Sequence, residues 1–323
     1  MVLNNHYVYF AVNKIKTDML IALRISFIKP FLACLTLFLF YQTVSAQDNL
    51  HKWEVKPYAG IQQSRFDWSI AGNAAGTSPN VLSELIWKNL KGPSFGLDIK
   101  YNITERLSIK AANQYSSITR GEAEDTDYAE DNRQSAFYFD LLNANKGYLY
   151  DANLQLSYQL LKFGDFNINP IVGLSYNQQK FHLLESANNP DSKGLNSTYV
   201  ARYKGFDFGA ELVLKMQKFS LGATVLGGFY TYSAKANWNL IPDFAKPVSF
   251  THKANSFSLS GDINLAVPLN KSLRVEVDYK INNINTYSGV DKAYFNSRST
   301  EETQFNGASF RKNALLLGLN FSF

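Results

Sequence analysis

Two carboxylates two positions apart, Asp125 and Asp127, sit inside the stretch "RGEAEDTDYAEDNR", where Arg120 to Arg133 carries six acids in fourteen residues. In an extended chain, side chains at i and i+2 share a face, so this pair can present both carboxyls to one water or one ligand. Such a pair suits general base chemistry; a run of like charge in a loop needs only solvent. The remaining chemical inventory is thin. Cys34 is the only cysteine, and it lies in an apolar run expected to be removed, so the mature chain has no thiol nucleophile and no disulfide. His182 and His252 have no His-x-x-x-His partner or acidic cluster beside them and read as ordinary loop residues, so no metal or cofactor is expected.

The elements that must carry Asp125 and Asp127 read as strands. Near the start, Lys14, Lys16, Arg24 and Lys29 precede the apolar "FLACLTLFLF" (Phe31 to Phe40), and "VSA" (Val44 to Ala46) follows. That is the layout of a secretory signal peptide, so residues 1–46 are expected to be cleaved and 47–323 to form the mature domain. Without its first 46 residues the chain keeps 28 basic against 26 acidic residues. This near balance gives no footprint for nucleic acid.

Beyond Gln47 no apolar run is long enough for a spanning helix, whereas strict alternation is common. In "SLRVEVDYKI", Leu273, Val275, Val277, Tyr279 and Ile281 share one face and Arg274, Glu276, Asp278 and Lys280 the other. "YLYDANLQLSYQL" from Tyr148 and "FSLSGDINLAV" from Phe257 repeat the pattern. Long apolar faces opposed by mixed polar residues fit a lipid-facing band around a polar lumen.

Spacing supplies the architecture. Short breaks fall near Ile103 to Glu105, Gly164 to Asp165, Gln217 to Lys218 and Asn270 to Lys271. Longer loop-like stretches lie between them: Ala71 to Asn80, Tyr128 to Lys146, Glu185 to Ser197, Asn239 to Lys253 and Asp291 to Glu301. Four tight turns and five long loops predict an all-β, antiparallel up-and-down barrel of ten strands in the bacterial outer membrane. Its strands are longer than the roughly 9 to 11 residues a tilted crossing needs, so the excess stands above the membrane as a collar. Trp53, Tyr101, Tyr158, Phe166, Phe219 and Phe323 would ring the periplasmic rim. Pro57, Pro170 and Pro268 fall toward that end, where a missing ladder donor is tolerated. Lumen charges such as Glu54, Lys56, Asp98, Lys100, Glu276 and Asp278 are expected to pair with one another.

On this plan "EDTDY" stands at the top of the third strand, and there the chain resembles the omptin family of outer-membrane aspartyl-type proteases. "LSELIWKNL" (Leu82 to Leu90) and the "ERLSI" turn are similar to segments of that family. The resemblance implies that Asp125 and Asp127 match a family Asp pair, which faces an Asp-His pair on the seventh strand across an activated water. Laid ungapped from Phe219, this sequence has Asn237 at the Asp position and Asn239 at the His position, with Lys235 at a further acidic one. An amide cannot take a proton at neutral pH, so the base of that mechanism is missing. Strand parity adds a condition. Counted from Leu107 and Ile109 as outward, Asp125 and Asp127 reach the interior only through a bulge, which Gly121 can supply.

The favoured expectation is a barrel resembling omptins without proteolytic activity, using its surface loops for binding or for envelope integrity. An active endopeptidase recruiting His182, and a narrow porin, remain as alternatives. The expected partners are outer-membrane lipid, including lipopolysaccharide, and a peptide or protein at the extracellular loops.

Overall fold

The structure, a computed structural model, describes residues 52–186 and 189–323; the expected signal peptide lies outside the described residues. Fourteen strand segments follow in order: β1 (Trp53–Ile70), β2 (Ser83–Asn102), β3 (Leu107–Ile118), β4 (Arg120–Glu130), β5 (Gln134–Asn143), β6 (Gly147–Tyr158), β7 (Leu161–Phe163), β8 (Phe166–Leu184), β9 (Asn196–Lys215), β10 (Ser220–Asn237), β11 (Phe250–Pro268), β12 (Leu273–Thr286), β13 (Gly289–Ala293) and β14 (Glu301–Ser322). They form ten staves, because β3 continues into β4, β5 into β6 and β7, and β12 into β13. Every pairing is antiparallel, and β1 closes on β14 from Glu54↔Ser322 to Ile70↔Phe305. Closure leaves the sheet no edge in the membrane, which is what lipid demands of a spanning sheet.

Alternation does the sorting. Along β14, Arg311, Asn313, Leu315, Leu317 and Leu319 face out while Lys312, Ala314, Leu316, Gly318 and Asn320 line the inside. The exposed apolar residues Ile61, Phe95, Leu174, Val225, Ile263 and Leu317 belong to a band about nine residues tall on the lower half of the staves. Above it the outward residues become Arg65, Asp67, Thr231, Ser233 and Lys235. At the periplasmic rim Trp53 packs on Tyr101 with ring centroids 4.6 Å apart, and Phe323 closes the chain against Trp53 through two backbone bonds.

Inside the band, charge is met by charge. Lys56 Nζ lies 3.1 Å from carboxylate oxygens of both Asp278 and Glu276 and 3.8 Å from Asp98. Glu54 holds Arg274 and Lys100, and Lys312 binds Asp151. Above these pairs the interior turns aromatic. Phe66, Trp87, Phe181, Tyr199, Tyr203, Phe305 and Phe310 are fully buried. Phe66 stacks on Phe181 at 4.8 Å, Trp68 on Tyr199 at 5.7 Å and Tyr232 on Phe305 at 5.6 Å. Several of their polar atoms are paired: Trp87 Nε1 donates to the His182 carbonyl at 3.0 Å, and the Tyr199 and Tyr232 hydroxyls lie 2.6 Å apart. Rings from staves all around the barrel thus meet in one layer across its bore, each contributing about 1.5–3 kcal/mol by burial.

Two sequence expectations change. The stretch Tyr128 to Lys146, read as loop, contains the strand β5. His182 and His252, read as loop residues, lie in β8 and β11 and are buried.

Candidate binding cavity at the extracellular mouth

Above the aromatic layer the collar encloses a cavity of about 670 Å³. Asp125, Asp127, Asp140 and Tyr138 line one wall, and Trp238, Leu240, Ile241, Phe244 and Phe250 contribute apolar surface. A largely apolar hollow with a few convergent polar groups is the usual form of a ligand site.

Asp125 and Asp127 reach this cavity because the staves change phase between band and collar. On the third stave the inner residues are Gln114, Ser116 and Ile118 below, and Ala123, Asp125 and Asp127 above; the ladder breaks at Thr119. The second stave makes the matching switch, from Ser94 and Asp98 inward to Leu85 and Trp87 inward, with a register shift between Lys88 and Lys91. Gly92 permits the crossover, since a Cβ there would lie 1.9 Å from the Ser117 carbonyl oxygen. Asp125 pairs with Leu85 and Asp140, Asp127 with Ser83 and Tyr138.

Of the six acids of the opening stretch, Glu130 is exposed and the other five divide by partner. Glu122 accepts from Asn89 Nδ2 at 2.8 Å, Glu124 holds Lys88, and Asp131 accepts from the Asn80 amide at 2.7 Å. Nearby, Glu84 takes a two-pronged bond from Arg133 at 2.6 and 3.0 Å. No cation among the described residues reaches Asp125 or Asp127. Burial first, then the carboxylates of Asp127 and Asp140, push the Asp125 pKa up from 3.8 to about 8. Asp127 is also raised by burial, partly offset by the Ser83 hydroxyl. Asp140 Oδ2 accepts from Asn189 Nδ2 at 2.7 Å.

The Asn pair stands elsewhere. Asn239 is spent on the neighbouring loop: its Oδ1 accepts from the Asn196 amide at 2.9 Å and the Ser197 hydroxyl at 3.0 Å, and its Nδ2 donates to the Gly194 carbonyl at 2.8 Å. Its neighbours Trp238 and Leu240 line the cavity in its place. Asn237 ends β10 opposite Thr198, with its Oδ1 buried and unbonded. Lys235 is exposed on the outer face, alternating with buried Ala234 and Ala236.

Neither histidine opens on the cavity. Leu183 lines it, so His182 points to the opposite face, where its Nδ1 meets Asn196 Oδ1 at 3.0 Å. His252 points inward but has no exposed surface. Its Nδ1 lies 2.7 Å from the Tyr199 hydroxyl, its Nε2 3.1 Å from Asp291 Oδ1, and Phe305 stacks on it at 4.3 Å. Burial holds its pKa down, against the opposing pull of Asp291, so the ring stays neutral beneath the floor. Sequence reading missed Asp140, Asp291 and the aromatic wall. Asp140 left a trace: it breaks the apolar run "AFYFDLL".

A closed antiparallel barrel with tight turns at one end, long loops at the other and an outward apolar band is a bacterial outer-membrane β-barrel protein. The sequence profile of the Protochlamydia outer membrane protein family matches residues 57–323, and the chain belongs to that family. No curated protein matches the sequence. Among solved structures, the outer membrane protease OmpT from Escherichia coli is similar with a TM-score of 0.69 at 15% identity, covering 86% of this chain and 100% of that one. At that identity the likeness is one of fold. The translocator domain of the autotransporter NalP from Neisseria meningitidis, at 9% identity, covers 86% of this chain and 91% of its own with a TM-score of 0.38.

Proposed function

We propose that this barrel is a cell-surface binding protein that captures cationic, partly apolar peptide segments at its mouth and does not cleave them. The observation that carries the reading is the pair of carboxyl groups without a cationic partner, Asp125 and Asp127, in a cavity whose other surfaces are largely aromatic and aliphatic. A guanidinium or ammonium would relieve their repulsion, and its alkyl stem would cover Trp238 or Leu240. Hydrolysis needs a group of near-neutral pKa in contact with water. Among the described residues no imidazole opens on the cavity, and Asn239 is tied into the loop. The ion pairs and the aromatic layer favour binding over conduction.

On the outer face, Lys180, Arg202 and Lys204 stand on adjacent staves just above the apolar band; Lys204 lies over the Tyr176 ring at 5.7 Å. That placement suits the anionic headgroups of outer-leaflet lipid, lipopolysaccharide included. The test is to incubate the purified, lipopolysaccharide-supplemented protein with fluorogenic peptides rich in Arg and Lys. Retention of intact peptide, weakened in Asp127→Asn, is expected; cleavage that Asp127→Ala abolishes would refute the proposal.

A further inference from the structure

Above the point where Asn143 pairs with Leu184, β5 has a neighbouring strand on one side only. The direction of its peptide groups follows from the ladder. The Ala144 amide donates to the Gly121 carbonyl, so Gly121 and Ala144 are a hydrogen-bonded pair. Antiparallel alternation then makes bonded pairs of Ala123 with Leu142, Asp125 with Asp140 and Asp127 with Tyr138. The even-numbered residues of β5 therefore use their peptide groups on β4. Phe139 and Leu141 turn theirs to the open side, where no backbone group of the described residues meets them.

This edge lacks the usual protection. Strand edges are commonly blunted by Lys, Pro or a covering loop, whereas "AFYFDLL" (Ala136 to Leu142) contains neither residue, and Phe139 is 63% and Leu141 41% exposed. Lipid does not account for the exposure. Leu141 pairs with Glu124 and, two staves further, the same height carries Asp67, so the patch stands above the apolar band among charged neighbours.

We infer that β5 is a docking edge for an extended cationic peptide strand, which adds to the sheet antiparallel with basic and apolar residues in strict alternation. Its apolar residues, opposite Phe139 and Leu141, direct their amides at β5 and lay their side chains on those two. The alternate basic residues turn inward to Asp140, Asp125 and Asp127. Main-chain bonds thus give affinity and the alternating faces give selectivity. The inference rests on the reading of the cavity as a cation site and adds how the ligand is held.

The experiment measures fluorescence anisotropy of a labelled eight-residue peptide of alternating Val and Lys on the purified full-length protein in neutral detergent. N-methylation of the Val amides, which would face β5, is expected to weaken binding about tenfold or more, and N-methylation of the Lys amides to leave it within about threefold. Phe139→Pro should reproduce the loss with unchanged far-ultraviolet circular dichroism. A peptide of the same composition with Val and Lys in blocks should bind weakly. Binding that falls in Asp125→Asn and Asp140→Asn but ignores both methylation and Phe139→Pro would overturn the docking edge while leaving the cation site standing. No binding of any cationic peptide would overturn both. A dimer in wild type that Phe139→Pro dissolves would show the edge taken by a second copy, which also overturns the inference.

Discussion

Asp125 gives the most direct handle on the cavity, because its cost is already present without a ligand. Burial and the neighbouring Asp127 and Asp140 raise its pKa from 3.8 to about 8, so the folded protein holds this proton far more tightly than the unfolded chain does. The sign follows by linkage. Below the unfolded value both states are protonated and Asp125 costs nothing. As pH rises from about 4 toward about 8, the unfolded chain ionises and the folded one does not, so stability falls and then levels off. At about 1.4 kcal/mol per pH unit, an isolated Asp125 would remove on the order of 5 kcal/mol. Contact with solvent at the cavity mouth screens part of this, which leaves about 2–3 kcal/mol as the expected loss. Asp125→Asn keeps the shape and removes the titration. Urea denaturation in detergent from about pH 4 to about pH 9 should show the variant more stable than wild type by that amount at the alkaline end, the two converging near pH 4. Parallel profiles, or a variant less stable at high pH, would refute the account of Asp125 as a buried carboxyl without a counter-charge.

The same proton predicts the pH dependence of binding. Affinity for a cationic peptide should rise from about pH 6 to about pH 9 in wild type and stay nearly flat in Asp125→Asn, as titration calorimetry would record. Asn239→Ala removes three side-chain hydrogen bonds to 194–197 and should cost about 1–3 kcal/mol locally, read as faster protease nicking of the loop after β8. Gly92→Val drives a side chain into the Ser117 carbonyl and should lower the heat resistance of the folded band on a gel, at a cost of about 1–3 kcal/mol or more. Lys56→Met leaves Asp278 and Glu276 facing each other and should cost about 3–5 kcal/mol in urea, partly recovered by adding Asp278→Asn.

The stave plan is legible in the sequence because lipid outside and polar lumen inside impose the same two-residue period on every crossing. Turn positions near Ile103, Gly164, Gln217 and Asn270 follow from it, as do the ion pairs of the lumen. The collar obeys other rules. There the inside is aromatic and the outside wet, and the phase changes at Thr119 and between Lys88 and Lys91 are single-residue events without a compositional mark except small residues such as Gly92. Parity counted from Leu107 says that a bulge is needed and points to Gly121, two residues beyond the break at Thr119. The ring layer was hidden for a different reason. Phe66, Trp87, Phe181, Tyr199 and Phe305 each look like one apolar residue in an alternating strand, and only closure of the barrel brings them together. Tyr128 to Lys146 reads as loop through its acids and asparagines, although "AFYFDLL" within it has strand composition.

The ring layer also bears on how such a molecule can diversify. It acts as a bulkhead, dividing the bore into a lower compartment continuous with the periplasm and an upper one continuous with the medium. Among the described residues no salt bridge spans it, so a charge altered in the upper compartment takes no partner from the ion pairs below. Residues of the head are thus free to change with whatever the cell encounters, while the stem keeps answering to one unchanging neighbour, the bilayer.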